Sequence, residues 1–244
     1  MSPGRLYGVG VGPGNPEWLT LRAVAVLQAV DVVAHPGKHD GYALRIVAPL
    51  IDSVRQEILP LNFPMEGDPL TWESAWQRGA ETICDRLRRG AEVAFITEGD
   101  PLLYSTFGYV LGKVRTVCPR AGIEVVPGIS AVSGSAARLQ LPLVSGRQSL
   151  AVVPAGDPSV MRSALANHDT VVFLKVGAAL ETLIAVLEEA GCLQRAVAIS
   201  HASSGHELIT HDLRTWQAAV GSPAPPIPYM TLVVVACGQE GDPK

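Results

Sequence analysis

The sequence has few cysteines, few aromatic residues, no block of basic charge and no long apolar run. Its four cysteines, Cys84, Cys118, Cys192 and Cys237, are scattered over 244 residues with no C-x-x-C pair. That spacing matches no structural zinc site, and a disulfide framework would be sparse for the length. Four reduced thiols and a cytoplasmic location are expected. Phe, Trp and Tyr together supply only 5% of residues, whereas 48% are hydrophobic. Ala, Val and Leu must therefore fill the cores, which suits α/β layers better than an aromatic-rich sandwich, and disorder is excluded. Lys and Arg number 19 against 23 Asp and Glu, a net charge of −4. Without a basic patch, nucleic acid is a poor partner; a small anionic molecule still fits, because a local site can be positive on an acidic chain. No apolar stretch approaches the ~20 residues that span a bilayer. The glycine-broken opening strand is not a signal-peptide core either. A P-loop and a G-x-S-x-G elbow are both missing.

The histidines offer no metal ligand set. His35 and His39 are separated by Pro36-Gly37, and His201, His206 and His211 recur at intervals of five, a poor match to zinc spacings. Loop histidines in solvent or against a substrate are the expectation, and no metal.

What is present is an alternation of strands, glycine-bearing loops and helices. Residues 6–11 read as a strand, followed by the loop 12–15 and a helix capped by Asn15 and running to about 29. Residues 31–34 form a second strand, 40–50 a helix, and 72–89 a long helix ending at Gly90. The stretch 49–69 is broken by prolines and is expected to be irregular. Strand 93–97 precedes a helix over 105–118. This alternation predicts a largely parallel sheet whose ligand loops lie at the strand carboxyl ends. Residues 118–122 read as a linker, which divides the chain into an N-terminal α/β domain, 1–119, and a C-terminal α/β domain, 123–244. The second domain would hold strands at 123–126, 149–153, 170–174, 196–200 and 230–236, helices at 131–139, 160–167 and 179–190, and a mixed sheet. The proline-rich stretch 221–228 reads as a loop, and the last six residues as frayed.

Three loops carry possible chemistry. In Gly8-Val9-Gly10-Val11-Gly12-Pro13-Gly14, glycines permit close backbone approach or positive φ. A dinucleotide fingerprint fits poorly, since Pro13 or Asn15 replaces its third glycine. The acidic residue that should follow, Asp31, starts a strand instead of ending one. A tight turn with no ligand also explains this loop. Thr97-Glu98-Gly99-Asp100-Pro101-Leu102-Leu103-Tyr104-Ser105 puts two acids at the end of a buried strand, where they bind a ligand, act as acid and base, or cap the next helix. Val126-Pro127-Gly128-Ile129-Ser130-Ala131 ends in a possible cap, Ser130, before a helix of small residues.

Together, in this order, YGVGVGPGNPEWLTL (7–21), EGDPLLYS (98–105) and VVPGISAVSGSAA (125–137) resemble the three signature stretches of the tetrapyrrole methylases, and the resemblance covers nearly the whole chain. Finer segments, PLNFPM (60–65), LKVG (174–177) and PYMTLVVV (228–235), resemble the branch that methylates precorrin-2 at carbon 20 on the route to cobalamin. The resemblance implies two α/β domains, a homodimer, and S-adenosylmethionine bound folded in a cleft between domains, largely by backbone groups. By motif matching, Pro13, Gly99, Asp100, Leu103, Ser130 and Ala131 would line that site, joined by Val176, Ala202 and Thr231. Glu98 stands where many relatives have glycine. An electron-rich macrocycle can attack the sulfonium methyl itself, so no protein nucleophile is required. Glu98, Tyr104 and the loop histidines are candidates for accepting the proton lost. Arg5, Lys38, Arg138, Arg147 and Lys175 are candidates for the substrate's carboxylates. The substrate is metal-free precorrin-2 or its cobalt form. The alternatives are a uroporphyrinogen or later precorrin methylase, an NAD-dependent oxidoreductase, or a non-enzymatic ligand-binding module.

Overall fold

The computed structural model describes residues 3–37, 41–64, 68–220 and 228–238. The chain divides into two compact units, Met1–Ala131 and Val132–Lys244. Lys38, His39, Met65, most of the proline-rich loop and the last six residues lie outside the described residues.

The first unit contains strands β1 (Arg5–Gly10), β2 (Val32–Pro36), β3 (Glu57–Leu61), β4 (Val93–Thr97) and β5 (Gly122–Val126). They form one sheet in the order β3-β2-β4-β1-β5, with every pair parallel. Helices α1 (Leu21–Ala29) and α2 (Tyr42–Val47) pack on one face, and α3 (Pro69–Arg88) and α4 (Phe107–Val117) on the other. β4 shows why: Val93 and Phe95 join the core beneath α3 and α4, while Ala94 and Ile96 join the one beneath α1 and α2. A strand apolar at every position is what burial on both faces demands.

Three sequence expectations are corrected here. Residues 123–126 belong to the first sheet, where β5 pairs with β1 (Leu6 opposite Ile123, Val9 opposite Val126). The linker at 118–122 is thus a turn within the first unit, and the units divide at 131/132 instead. Part of the irregular stretch 49–69 is strand β3. It lies at a sheet edge, where Pro60 removes no ladder hydrogen bond from a neighbour on its open side. The helix expected from Asn15 is two elements. The Asn15 side chain accepts from Glu17 N and caps a 3-10 turn, Pro16–Trp18, whereas Thr20 caps α1 through Ala23 N.

The second unit contains α5 (Ala131–Leu139, whose first residue lies in the first unit), β6 (Leu150–Pro154), α6 (Pro158–Asn167), β7 (Thr170–Leu174), α7 (Leu180–Glu189), β8 (Ala196–Ser200), β9 (Leu208–Thr210), α8 (Leu213–Val220) and β10 (Thr231–Ala236). Its sheet runs β6-β7-β10-β8-β9 and is mixed. β6 and β7 are parallel, and β10 is antiparallel to both its neighbours. Asp157 caps α6 through Ser159 N and Val160 N. Strand β9 and helix α8 are additions to the sequence-based assignment.

The cysteines far apart in sequence meet in pairs. Cys118 lies close to Cys84 and Cys192 close to Cys237, while the Cys192 thiol donates to Ala190 O at 3.4 Å and the Cys237 thiol to Val235 O at 3.9 Å. All four are free thiols, and burial pushes Cys84 up to about 12 and Cys237 up to about 11, so they are poor nucleophiles at neutral pH. Among the described residues, no helix is long and apolar enough to cross a membrane.

Within β1, a Cβ placed on Gly8 would lie 2.2 Å from the Phe107 ring of α4. Gly8→Ala is expected to destabilise the protein by about 1–3 kcal/mol through overpacking. Urea denaturation checks this, and Phe107→Leu in the same chain should recover part of the loss.

Candidate functional site

A parallel sheet brings the carboxyl ends of its strands to one edge, and here three loops are tied together at that edge. Past β1, Val11 N donates to Thr97 O at 3.0 Å. Gly12 and Gly99 exchange two main-chain hydrogen bonds, Gly12 N to Gly99 O at 3.3 Å and Gly99 N to Gly12 O at 2.9 Å. Both glycines have positive φ, +76° and +64°. The third loop closes on them: a Cβ on Gly128 would fall 2.2 Å from Gly99 O, and one on Gly10 would fall 2.6 Å from Gly128 N. Only glycine permits main chains this close. Gly8 and Gly10 are thus accounted for by contacts within the protein.

Asp100 is the side chain that fixes the arrangement. One carboxylate oxygen accepts from Gly128 N at 3.2 Å and the other from Leu102 N at 2.9 Å. Behind it, the hydroxyls of Thr97 and Ser105 are 2.9 Å apart, and Ser105 Oγ accepts from Phe107 N at 3.1 Å. Of the residues expected from the motifs, Pro13, Gly99, Asp100, Leu103, Ser130 and Ala131 are brought together here. Pro13 follows the Gly12 bridge, Leu103 N faces Asp100 O at 3.4 Å, and the Cβ position of Gly99 lies 3.5 Å from Ala131 N and 3.8 Å from Ser130 Cα. Glu98 is half-buried and accepts from Ala43 N at 3.1 Å. Asp31 accepts from Glu92 N at 2.8 Å at the opposite end of the sheet, which removes it as a ribose ligand.

In the second unit, Val176, Ala202 and Thr231 also gather at one edge, where β7 and β8 end and β10 begins. Thr231 pairs with Ser200, Val176 N donates to Thr231 O at 3.3 Å, and His201 N donates to Met230 O at 2.9 Å. The Thr231 side-chain hydroxyl is buried, with no hydrogen-bond partner among the described residues. A buried orphan of this kind is costly unless a ligand completes it.

Backbone strain marks the same places. Among the described residues, five other than glycine have positive φ, namely Tyr104 (52°), Gln140 (53°), Lys175 (57°), His201 (48°) and Ser203 (64°). Four of them lie on the loops after β4, β7 and β8. Such strain concentrates at functional sites and persists only where the surroundings impose it. After β8 the restraint is Glu207. It accepts from Ser203 N at 2.6 Å and pairs with Arg138 through contacts of 2.7–2.9 Å. The Arg138 guanidinium holds the Glu207 carboxyl below the ordinary range against the opposing effect of burial.

The expected cations therefore divide. Arg138 is committed to Glu207, and Arg5 lies 3.6 Å from Glu124. Arg147 and Lys175 are exposed and have no ion pair among the described residues; Lys175 Nζ lies 5.9 Å from the Tyr229 ring centroid. No group of three metal-ligating side chains occurs among the described residues. Tyr42 and Glu207 were not identified from sequence. Tyr42 donates its hydroxyl to Pro13 O at 3.2 Å, a partnership across 29 positions that no motif signals.

A doubly wound sheet with glycine loops knitted at its carboxyl edge, followed by a mixed sheet with strained loops at one edge, defines an α/β protein built to bind a small molecule. The family model for the Tetrapyrrole (Corrin/Porphyrin) Methylases matches residues 5–215, and the chain belongs to that family. The cobalt-precorrin-2 C(20)-methyltransferase of Salmonella typhimurium is 32% identical, over 95% of this chain and 96% of that protein. The precorrin-2 C(20)-methyltransferase of Sinorhizobium sp. is 32% identical over 95% of each chain. Among solved structures, uroporphyrin-III C-methyltransferase from Thermus thermophilus, complexed with S-adenosylhomocysteine, superposes with a TM-score of 0.69 at 24% identity, covering 96% of this chain and 97% of that one.

Protonation of Glu207 should release the loop after β8. Because its folded-state pKa is lowered, the stabilisation is present above the unfolded value, near 4.5, and is lost as pH falls through the folded value. Glu207→Gln is expected to lower stability at pH 7 by about 1 kcal/mol or less. The difference from wild type should shrink below pH 4.5, as urea titrations across pH would show.

Proposed function

We propose that this chain is an S-adenosylmethionine-dependent methyltransferase acting on precorrin-2, or its cobalt form, at carbon 20 in cobalamin biosynthesis. The observation that carries the reading is the near-full-length likeness to two proteins of that name in a chain whose three glycine loops meet at one sheet edge. The residues present fit the cofactor. The first unit's loops offer main-chain groups at Pro13, Gly99, Leu103, Ser130 and Ala131, with Asp100 holding those loops in register. In the second unit, the buried Thr231 hydroxyl, which has no partner among the described residues, is a hydrogen-bonding group suited to a ligand, with Val176 and Ala202 at the same sheet edge.

S-adenosylmethionine supplies an electrophilic methyl on a sulfonium. The chain's own part is to hold two reactants in line, and such alignment replaces a bimolecular encounter by an effectively unimolecular one. Restricting water near the donor should favour attack by carbon. Tyr104, strained and partly exposed after β4, is a candidate acceptor for the proton that leaves the ring. Lys175 and Arg147 are the cations left uncommitted for the substrate's carboxylates. We further propose a cytoplasmic homodimer.

Calorimetric titration with S-adenosylhomocysteine, then anaerobic turnover with precorrin-2 followed by mass spectrometry, tests the reading. The expected product is one methyl heavier with the label at carbon 20. Methylation elsewhere on the ring would reassign the substrate position, and no binding by folded protein would remove the cofactor.

Lys175→Met should raise KM for the tetrapyrrole several-fold, in line with the loss of one charge-assisted contact, and leave S-adenosylhomocysteine affinity within about twofold. Steady-state kinetics at two salt concentrations would check it, because an exposed charge contact weakens with ionic strength.

A further inference from the structure

Glu98 lies in a closed circuit of contacts, and we infer that it is a positioning residue for the cofactor loop, not the base of the reaction. The inference rests on the proposed cofactor site. The circuit runs through three segments of chain. Glu98 Oε1 accepts from Ala43 N at 3.1 Å, at the start of α2. The neighbouring Tyr42 donates its hydroxyl to Pro13 O at 3.2 Å. Pro13 follows Gly12, which exchanges two main-chain hydrogen bonds with Gly99, and Gly99 follows Glu98 in the chain. Every link is a hydrogen bond or a peptide bond between neighbours, so the orientation of the Pro13 carbonyl is set from both sides.

Each link has a physical reason. α2 has only six residues, and its cap residue Gly41 offers no side chain to its free amides. The Ala43 amide is one of the donors that a helix start leaves unsatisfied, and a carboxylate there is favoured by charge as well as by hydrogen bonding. Glu98 therefore fixes the start of α2, α2 fixes the Tyr42 ring, and Tyr42 fixes Pro13. A glycine at this position would leave Ala43 N without this acceptor and the circuit open.

The two roles make opposite demands on the side chain. A base must accept the proton on an ionised carboxylate, which a glutamine amide cannot do, so Glu98→Gln would abolish it. A positioning acceptor needs only an oxygen at Oε1, which glutamine retains. The test uses the full chain as wild type, Glu98→Gln, Glu98→Ala and Tyr42→Phe. Affinity is read by calorimetry with S-adenosylhomocysteine, kcat at saturating S-adenosylmethionine, and amide exchange of Gly12 and Gly99 in ligand-free protein. In Glu98→Ala we expect about a 10-fold rise in Kd, the size of one charged-group hydrogen bond, with faster exchange at Gly12 and Gly99. Glu98→Gln should stay within about threefold of wild type in all three readouts, and kcat at saturation should survive in both variants. Tyr42→Phe should raise Kd several-fold, and its effect should not add to that of Glu98→Ala, since both open one circuit.

If Glu98→Gln loses kcat by 100-fold with Kd unchanged, the residue is a base and the inference is overturned. Unchanged affinity and exchange in Glu98→Ala would overturn it equally. Should Glu98→Ala not fold, Tyr42→Phe decides alone: unaltered affinity and exchange defeat the inference. Failure of the wild type to bind S-adenosylhomocysteine would instead defeat the proposed function, a result seen without any variant. Exchange at Gly12 and Gly99 would then still report on the circuit.

Discussion

Three stretches of main chain meet at Gly10, Gly99 and Gly128, with no room for a Cβ on Gly10 or Gly128 and a left-handed backbone at Gly99, and the first unit is organised around that meeting. It requires a parallel sheet, because only then do the loops after β1, β4 and β5 emerge at one edge. It requires strands buried on both faces to hold the edge rigid, as the alternation in β4 shows. It also requires a polar side chain to hold the loops in register, which Asp100 does by accepting from Gly128 N and Leu102 N at once. A ligand at such an edge meets backbone groups whose directions are already set, so little ordering entropy remains to be lost on binding.

The second unit solves a related problem by another route. Antiparallel β10 lies between β7 and β8, so its beginning lies beside their ends. Main-chain bonds from Val176 to Thr231 and from His201 to Met230 close that edge, and left-handed residues turn the chain sharply there without glycine. Carboxylates again restrain the backbone. Glu207 takes Ser203 N, as Asp169 takes Ser149 N at 2.7 Å and Glu98 takes Ala43 N. A carboxylate that accepts amide hydrogens favours its charged form, which is the main reason that the Asp169 carboxyl lies below its ordinary range, whereas for Glu207 the Arg138 guanidinium is the larger cause and the Ser203 amide adds to it.

The class of fold and the three loops that meet at the first sheet's edge were legible in the sequence because both are local signals. Apolar runs marked the buried strands, and glycine with acid at a strand end marked the loops. What escaped depends on partners remote in the chain. β3 was hidden by Pro60, whose cost is small at a sheet edge, where β2 covers one side and no strand among the described residues pairs with the other. Residues 123–126 have the same composition whichever sheet they join, and only their register against β1 assigns them to the first. Asn15 followed by Pro16 is a sound helix start, but it cannot reveal that Thr20 begins a second element. The contacts of Tyr42 with Pro13, Arg138 with Glu207, and Cys84 with Cys118 join residues 29 to 69 positions apart or lie beneath the surface, beyond any window of local pattern.

The fate of the reactive side chains bears on the chemistry. The thiols of buried Cys84 and half-buried Cys237 are pushed far above neutral pH, Ser105 is hydrogen-bonded to Thr97 and to the start of α4, and Asp100 and Glu98 are engaged by backbone amides. A reaction that needed an activated protein nucleophile would have to free one of these groups at the expense of the loops it holds. Transfer of a methyl from a sulfonium to an electron-rich carbon needs none: the substrate supplies the electron pair, and the protein's task is alignment. The same side chains can then be given wholly to structure, and the Asp100, Glu98 and Ser105 side chains each hold main chain in place here.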